Sequence, residues 1–137
     1  MPISHHVDHE RRLVTATATG DVTESDIFGY QKNAWSDPKV AGYDEIVDMT
    51  GAARIVEPKA ARMRELAALS ASMDPPATSA RFGIVAPEEL AFQLGRIYEA
   101  MRCEAAGGSG GKKVMTFRTL EEAENWLGWE GRKRRRP

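Results

Sequence analysis

Apolar and polar residues alternate along the first twenty positions, and this two-residue period predicts a pair of β-strands. The strands cover 3–8 and 12–19, and the polar turn between them makes an antiparallel hairpin. Val14, Ala16 and Ala18 share one face of the second strand, whereas threonines dominate the other face. Because the threonine face is less apolar than a core face, we expect it to be partly exposed or to face a partner.

A different pattern, with apolar residues three and four positions apart, predicts four helices. The predicted helices cover 23–36, 58–73, 87–103 and 119–128. The first and last begin with capping boxes that start at Thr23 and Thr119. Pro58 and Pro87 are predicted at the first positions of the two middle helices, where a missing N–H loses no bond. Gly128 is predicted to close the last helix.

Three further strands are predicted between these helices. They cover 43–49, 79–86 and 113–118. The middle one is an apolar run without strict alternation, which is typical of a strand covered on both faces in a largely parallel sheet. Two hairpin strands followed by alternating helices and strands therefore predict an α/β fold. Its sheet has five strands, is mostly parallel, and carries the antiparallel N-terminal hairpin at its edge.

The distribution of charge sets the C-terminal residues apart from the rest of the chain. The net charge is -1, but five of the 19 Lys and Arg residues lie within 132–136, so the rest has 14 basic against 20 acidic residues. An acidic body is not typical of a nucleic-acid-binding domain, and we expect no nucleic-acid partner. We predict one domain over 1–128 and a basic, disordered tail over 129–137. A weak contact of this tail with nucleic acid or an anionic membrane is the alternative.

The N-terminus has no signal-peptide pattern, and no apolar run approaches membrane-spanning length. Cys103 is the only cysteine, so no internal disulfide can form, which is typical of a reducing compartment. These features predict a cytoplasmic protein without a membrane span.

Five segments occur in a familiar order: HVDHERRLV at 6–14, ATGDVT at 18–23, VDMTG at 47–51, the stretch 84–99, and FRTLEEAENWL at 117–127. Together they resemble small bacterial proteins of the SpoIIAA-like group, which is related in fold to STAS and CRAL-TRIO domains. The resemblance implies a (βα) superhelix with the four helices mainly on one face of the sheet. It also implies a non-enzymatic regulatory or protein-interaction module, which we expect to form a homodimer.

STAS regulators carry a phosphorylatable serine at the start of the helix that follows the third strand. The matching stretch here, 54–59, contains no hydroxyl. Glu57 is predicted at that helix start instead, where it brings a permanent negative charge. Thr50 lies earlier, at the strand end, and is a poor substitute for the serine. We therefore expect no phosphorylation switch.

An alternative function is the binding of a small apolar or lipid-like ligand, because CRAL-TRIO relatives hold lipids over the sheet. The candidate ligand-binding residues share the third helix and are predicted to face inward. They are Leu90, Leu94, Ile97, Tyr98 and Met101. A closed core is the simpler expectation, since protein interiors are normally close-packed.

A third possibility is an enzyme whose site lies at a strand end. Asp48 and Thr50 are its candidate residues, because ligands in open α/β sheets gather at the carboxyl ends of strands. However, no Ser–His–Asp or Cys–His arrangement can be assembled, and the glycine-rich stretch 106–111 lacks the order of a phosphate-binding loop. The histidines between 5 and 9 share one hairpin and cannot surround a metal alone. We therefore predict no catalytic site, no metal and no cofactor.

Overall fold

The computed structural model describes residues 2–107 and 111–135, the last seven by their backbone only. The described elements follow one another as β1 (Ile3–Asp8), β2 (Leu13–Val22), α1 (Glu24–Trp35), a 3-10 turn (Pro38–Val40), β3 (Asp44–Ile55), α2 (Ala60–Met73), β4 (Arg81–Val85), α3 (Glu89–Ala105), β5 (Lys113–Phe117) and α4 (Leu120–Arg135).

The five strands form one sheet in the order β1-β2-β3-β4-β5. β1 pairs with β2 in the antiparallel sense, and the three other neighbouring pairs are parallel. The predicted five-stranded, mostly parallel sheet with an antiparallel hairpin at its edge is therefore confirmed.

Helices α1, α2 and α3 cover one face of the sheet, and α4 covers part of the other. On the first face, Val14 of β2 packs in a cluster with α1, and Phe82 of β4 packs in a cluster with α2 and α3. On the second face, Ile46 packs with Ala123 and Leu127 of α4. The prediction that the helices lie mainly on one face is confirmed.

Local signals place the starts of α1 and α4 as predicted. Thr23 Oγ1 accepts from the Asp26 N–H at 3.3 Å, and the Asp26 carboxylate accepts from the Thr23 N–H at 2.9 Å. Thr119 and Glu122 exchange the same two bonds at 3.2 and 3.1 Å. Both capping boxes satisfy N–H groups that a helix start leaves without partners.

β3 is longer than predicted, because it ends at Ile55 rather than near Met49. It stays paired with β2 to the end of both strands, where Val22 lies opposite Ile55. The pairing continues through a register shift after Gly20, whose φ of 66° lies in the left-handed region that favours glycine.

Both predicted proline positions are wrong. α2 begins at Ala60 rather than at Pro58, and α3 begins at Glu89 rather than at Pro87. In each case the first residue after the preceding strand still donates its N–H to a carbonyl of the neighbouring strand. The chain is therefore held extended beyond the strand end, and the helix starts later.

The predicted end of the last helix at Gly128 is also wrong, because α4 continues to Arg135. Gly128 does not adopt the positive φ that a helix-closing glycine takes. The division between a domain over 1–128 and a tail over 129–137 stays a prediction, and residues 136–137 lie outside the described residues. Among the helices described, none is both long and apolar enough to cross a membrane.

Candidate functional site

An apolar cavity of about 130 Å³ lies between the sheet and the helices α1, α2 and α3. Its wall includes Ile27 and Phe28 from α1, Leu66 from α2, Leu94 and Tyr98 from α3, and Phe82 from the sheet. Its surface is almost entirely apolar. An engineered apolar cavity of about 150 Å³ stays dry and binds benzene, so this space has room for a molecule of similar size.

The structure brings two of the five predicted ligand-binding residues to this wall, Leu94 and Tyr98. Met101 is half-buried and packs against the cluster that contains Tyr98, beside the cavity rather than in its wall. Leu90 and Ile97 are 47% and 46% exposed, so their predicted inward placement is wrong. Ligand binding by any of the five stays a prediction.

The inner face of α3 is narrower than the predicted stripe, and it carries smaller residues. Its buried residues are Ala91, Gly95, Tyr98 and Arg102, which follow a helical period. Small residues let the helix lie close to the sheet, so the side that carries Leu90 and Ile97 is turned toward solvent. The pattern of large apolar residues therefore predicted an inner face that extends too far toward Leu90 and Ile97.

The cavity has a shallow end and a deep end. Near the shallow end, the partly exposed side chains of Arg62 and Glu24 form an ion pair at 3.4 Å. The Arg62 guanidinium also lies 4.3 Å from the centre of the Phe28 ring. This end belongs to the first turns of α1 and α2, at the carboxyl ends of β2 and β3, where ligands gather in open α/β sheets.

Buried polar side chains form the deep end, and Glu45 is at their centre. Tyr30 Oη and Trp35 Nε1 donate to Glu45 Oε2 at 2.7 and 3.1 Å. Lys112 Nζ donates to Glu45 Oε1 at 3.3 Å and lies 3.1 Å from the centre of the Trp35 ring. Burial, together with the Glu45 charge, raises the pKa of Tyr30 well above its ordinary value, so its hydroxyl stays protonated and donates.

A second branch of the network runs from α1 through α2 to α3. Ser70 Oγ donates to Gln31 Oε1 at 2.9 Å and accepts from Tyr98 Oη at 2.9 Å. Arg102 donates to Tyr98 Oη at 3.4 Å and to Asp74 Oδ2 at 2.6 Å. Burial raises the pKa of Tyr98, so this hydroxyl is also protonated.

Lys112 joins the two branches, because its backbone N–H donates to Asp74 Oδ2 at 3.0 Å while its side chain binds Glu45. Burial lowers the pKa of Lys112, and the carboxylates of Glu45 and Asp74 oppose that effect. The buried charges pair off, Glu45 with Lys112 and Asp74 with Arg102, so the deep end is neutral overall.

Of this network, the sequence pattern indicated only Tyr98, as a candidate ligand-binding residue. The members of the network lie on four different elements and on the segments between them, and no motif spacing connects them. The only signal in the sequence is a charged residue inside a pattern that predicts burial, such as Glu45 beside Ile46 and Arg102 on the inner face of α3.

No protein-family model matches this chain, and no curated protein matches its sequence. A solved structure that resembles it is an uncharacterized protein of the DUF3478 family with a SpoIIAA-like fold, from Shewanella loihica PV-4. The two share 15% sequence identity over 91% of this chain and 93% of the other, with a TM-score of 0.57. This chain has a SpoIIAA-like fold.

The anti-sigma factor antagonist SpoIIAA in its unphosphorylated form is also similar, with 14% identity over 92% of this chain and 97% of the other and a TM-score of 0.48. The comparison with the DUF3478 protein confirms the SpoIIAA-like resemblance at the level of the fold. At these identities the comparisons say nothing about activity.

Within this SpoIIAA-like fold, the candidate enzyme residues Asp48 and Thr50 lie away from the cavity. Alternation along β3 turns Asp48 to the face that carries Ile46, whereas Val47 lines the cavity. Thr50 donates both its N–H and its hydroxyl to Asp48 Oδ1, at 2.9 and 2.6 Å. This bonding gives the carboxylate a structural role, and a catalytic role for Asp48 and Thr50 stays untested.

The predicted placement of Glu57 at a helix start is wrong. Lys59 is the N-cap residue of α2, so Glu57 lies before the helix, and the first turn of α2 contains no acidic residue. In the part of the chain that the structure describes, no three His, Cys, Asp or Glu side chains are arranged to hold a metal ion. Part of the glycine-rich stretch, residues 108–110, lies outside the described residues.

Proposed function

We propose that this chain is a non-enzymatic, STAS-like regulatory module that binds a small apolar ligand between its sheet and helices α1, α2 and α3. The observation that supports the proposal is the apolar cavity of about 130 Å³. Protein interiors are normally packed with few voids larger than a water molecule. A space that would hold a ring-sized molecule, bounded by three helices of one face, is therefore suited to a ligand.

Binding in this cavity would act on the surface of the module through α1 and α2. The contacts between these two helices near the shallow end are polar and partly exposed, with Arg62 bonded to Glu24 and stacked on Phe28. A ligand beneath them adds apolar contacts to both helices and so stabilises one arrangement of the pair. A partner protein that binds only this arrangement of the two helices would therefore bind more tightly when the ligand is present.

Filling the cavity is expected to abolish ligand binding without unfolding the protein. Ala91 lines the cavity, and Ala91→Leu places three more carbon atoms in it. With toluene at ten times its Kd, we expect the wild type to gain about 1.4 kcal/mol and its Tm to rise by about 3–6 °C. Ala91→Leu should show no such rise, as thermal denaturation would reveal.

The matched control is Ala100→Leu, at an exposed position of the same helix. It should keep the toluene response of the wild type. The proposal is wrong if toluene does not raise the wild-type Tm, or if Ala91→Leu responds as strongly as Ala100→Leu. Native mass spectrometry of the protein purified from cells would show whether a ligand is carried along.

The open edge of β1 favours a second part of the proposal, a homodimer. At the other edge of the sheet the Thr116 N–H of β5 already has a partner, because the Glu99 carboxylate of α3 accepts it at 2.8 Å. β1 is the terminal strand on its side, and Ser4, His5 and His6 are exposed. Two copies of β1 can pair as antiparallel strands about a twofold axis and form one continuous sheet.

A proline on the outer edge of β1 is expected to convert the dimer to a monomer. The Thr19 N–H donates to the Pro2 carbonyl, so strand alternation points the His5 N–H away from β2. His5→Pro removes this outward donor, whereas His5→Ala keeps it and serves as the control. Sedimentation equilibrium at micromolar concentration should give a dimer for the wild type and His5→Ala and a monomer for His5→Pro. A monomeric wild type, or a dimeric His5→Pro, would contradict the assembly.

A further inference from the structure

We infer that the cavity selects an uncharged, compact apolar molecule of about one ring and discriminates against carboxylates such as fatty acids. This inference rests on the proposed function, since it concerns the same cavity. The inference assigns a chemical class to the ligand. Three features of the wall exclude a charged group, and a fourth restricts the length of the ligand.

The first feature is that the polar atoms at the deep end already have partners. Tyr30 Oη is bonded to Glu45, and Gln31 accepts from Ser70 while its amide donates to Met73 Sδ at 3.5 Å. Tyr98 Oη donates to one side chain of the network and accepts from another. A polar ligand group at this end would have to break these bonds, whereas an apolar group leaves them intact.

The second feature is the charge at the deep end. Glu45 is almost completely buried, and its charge is matched by Lys112. A ligand carboxylate would bring a second negative charge beside Glu45 without a second cation. It would lose its hydration and gain no donor, which is unfavourable in a buried site.

The third feature is the shallow end, where the head group of an amphiphile would have to lie. Arg62 contacts the carboxylates of both Glu24 and Glu65, so its charge is already offset. Lys32 lines the outer surface between α1 and α2 and lies 5.9 Å from the centre of the Phe28 ring. The charged side chains that line the shallow end and this surface are two acids and two bases, so an anionic head group gains no net attraction from them.

Two residues also restrict the length of the ligand. Phe28 and Arg62 line both the cavity and a groove between α1 and α2 on the outer surface. The stacked pair therefore separates the cavity from the groove, and a long acyl chain would have to pass through it. A compact molecule fits on the inner side with the pair closed.

The test compares toluene, benzoate and octanoate as probes of the full-length chain by methyl NMR. Toluene should shift the signals of Leu66 and Leu94 in the cavity wall and leave those of the exposed Leu90 and Ile97 unchanged. Benzoate has the same ring with a carboxylate, and we expect it to bind about tenfold more weakly or worse. Octanoate should be as weak, and Ala91→Leu should remove the toluene shifts.

The outcomes distinguish the proposed ligand-binding function from the inferred class of ligand. If no probe shifts the cavity signals, both the proposed function and the ligand class are wrong. If benzoate or octanoate binds as tightly as toluene, the cavity is a ligand site but the inferred class is wrong. If toluene binds and both carboxylates are at least tenfold weaker, the inference stands.

Discussion

Lys112→Met is expected to lower the free energy of unfolding by about 3–5 kcal/mol, because it leaves a buried carboxylate without its cation. Lys112 and Glu45 form an ion pair at 3.3 Å, and each side chain is only 3% exposed. Methionine keeps the apolar stem above the Trp35 ring but has no ammonium group. The loss therefore reports the cost of an unpaired buried charge, rather than the net attraction within the intact pair.

The matched control is Arg54→Met, which breaks the pair between Arg54 and Asp21. Its nitrogen–oxygen distance is also 3.3 Å, but the two side chains are 70% and 60% exposed. An exposed pair contributes about 0–1 kcal/mol, so this variant should be almost as stable as the wild type. Urea unfolding measures both. A loss under about 1 kcal/mol for Lys112→Met would show that water reaches Glu45 and that the pair is not buried as described.

A second substitution identifies the origin of the loss. Glu45→Gln removes the negative charge but keeps a carbonyl oxygen as an acceptor for Tyr30 and Trp35. In the Lys112→Met background it should therefore restore part of the stability. If it destabilises this background further, the unpaired charge is not the cause.

The element boundaries that the sequence predicted correctly are those set by neighbouring residues. The period of two marks β1 and β2, and the capping boxes at Thr23 and Thr119 mark two helix starts. Both depend on contacts within a few residues. The late starts of α2 and α3 depend instead on bonds to neighbouring strands, so the prolines alone placed them two residues too early.

The candidate site was predicted only in part, for a similar reason. Leu94 and Tyr98, two of the five candidate ligand-binding residues, line the apolar cavity, although a closed core was the simpler expectation. The buried pair of Glu45 and Lys112 joins positions 67 residues apart in the sequence, and only the folded sheet brings them together. A local pattern contains no information about such a partner. A charged residue within a strand is therefore predicted to be exposed until its partner is known.

Gly95→Ala is expected to destabilise the protein by about 1–3 kcal/mol, because the added methyl group has no space. Gly95 lies on the inner face of α3, where this helix crosses β5. A Cβ atom at this position would lie 2.7 Å from Thr116 Cγ2 and 2.8 Å from Thr116 Oγ1, which is closer than atoms in contact approach. The close approach of helix and strand thus depends on the missing side chain.

The control for this substitution is Gly29→Ala, in the interior of α1, where nothing lies within 4 Å of an added Cβ. There the usual preference of helices for alanine over glycine should stabilise the protein by about 0.5–1 kcal/mol. Glycine-to-alanine substitution is therefore expected to lower the free energy of unfolding in α3 and to raise it in α1. Urea unfolding of both variants would show this.

Shortening the Thr116 side chain on β5 should relieve the close contacts that Gly95→Ala introduces. Among the described residues, Thr116 Oγ1 is the one buried side-chain polar atom without a hydrogen-bond partner, so Thr116→Ala loses no hydrogen bond. In the Thr116→Ala background, Gly95→Ala should cost less than about half of what it costs in the wild type. An unchanged cost in that background would show that the contact with Thr116 is not what requires glycine. The cause would then lie in the backbone of α3 itself.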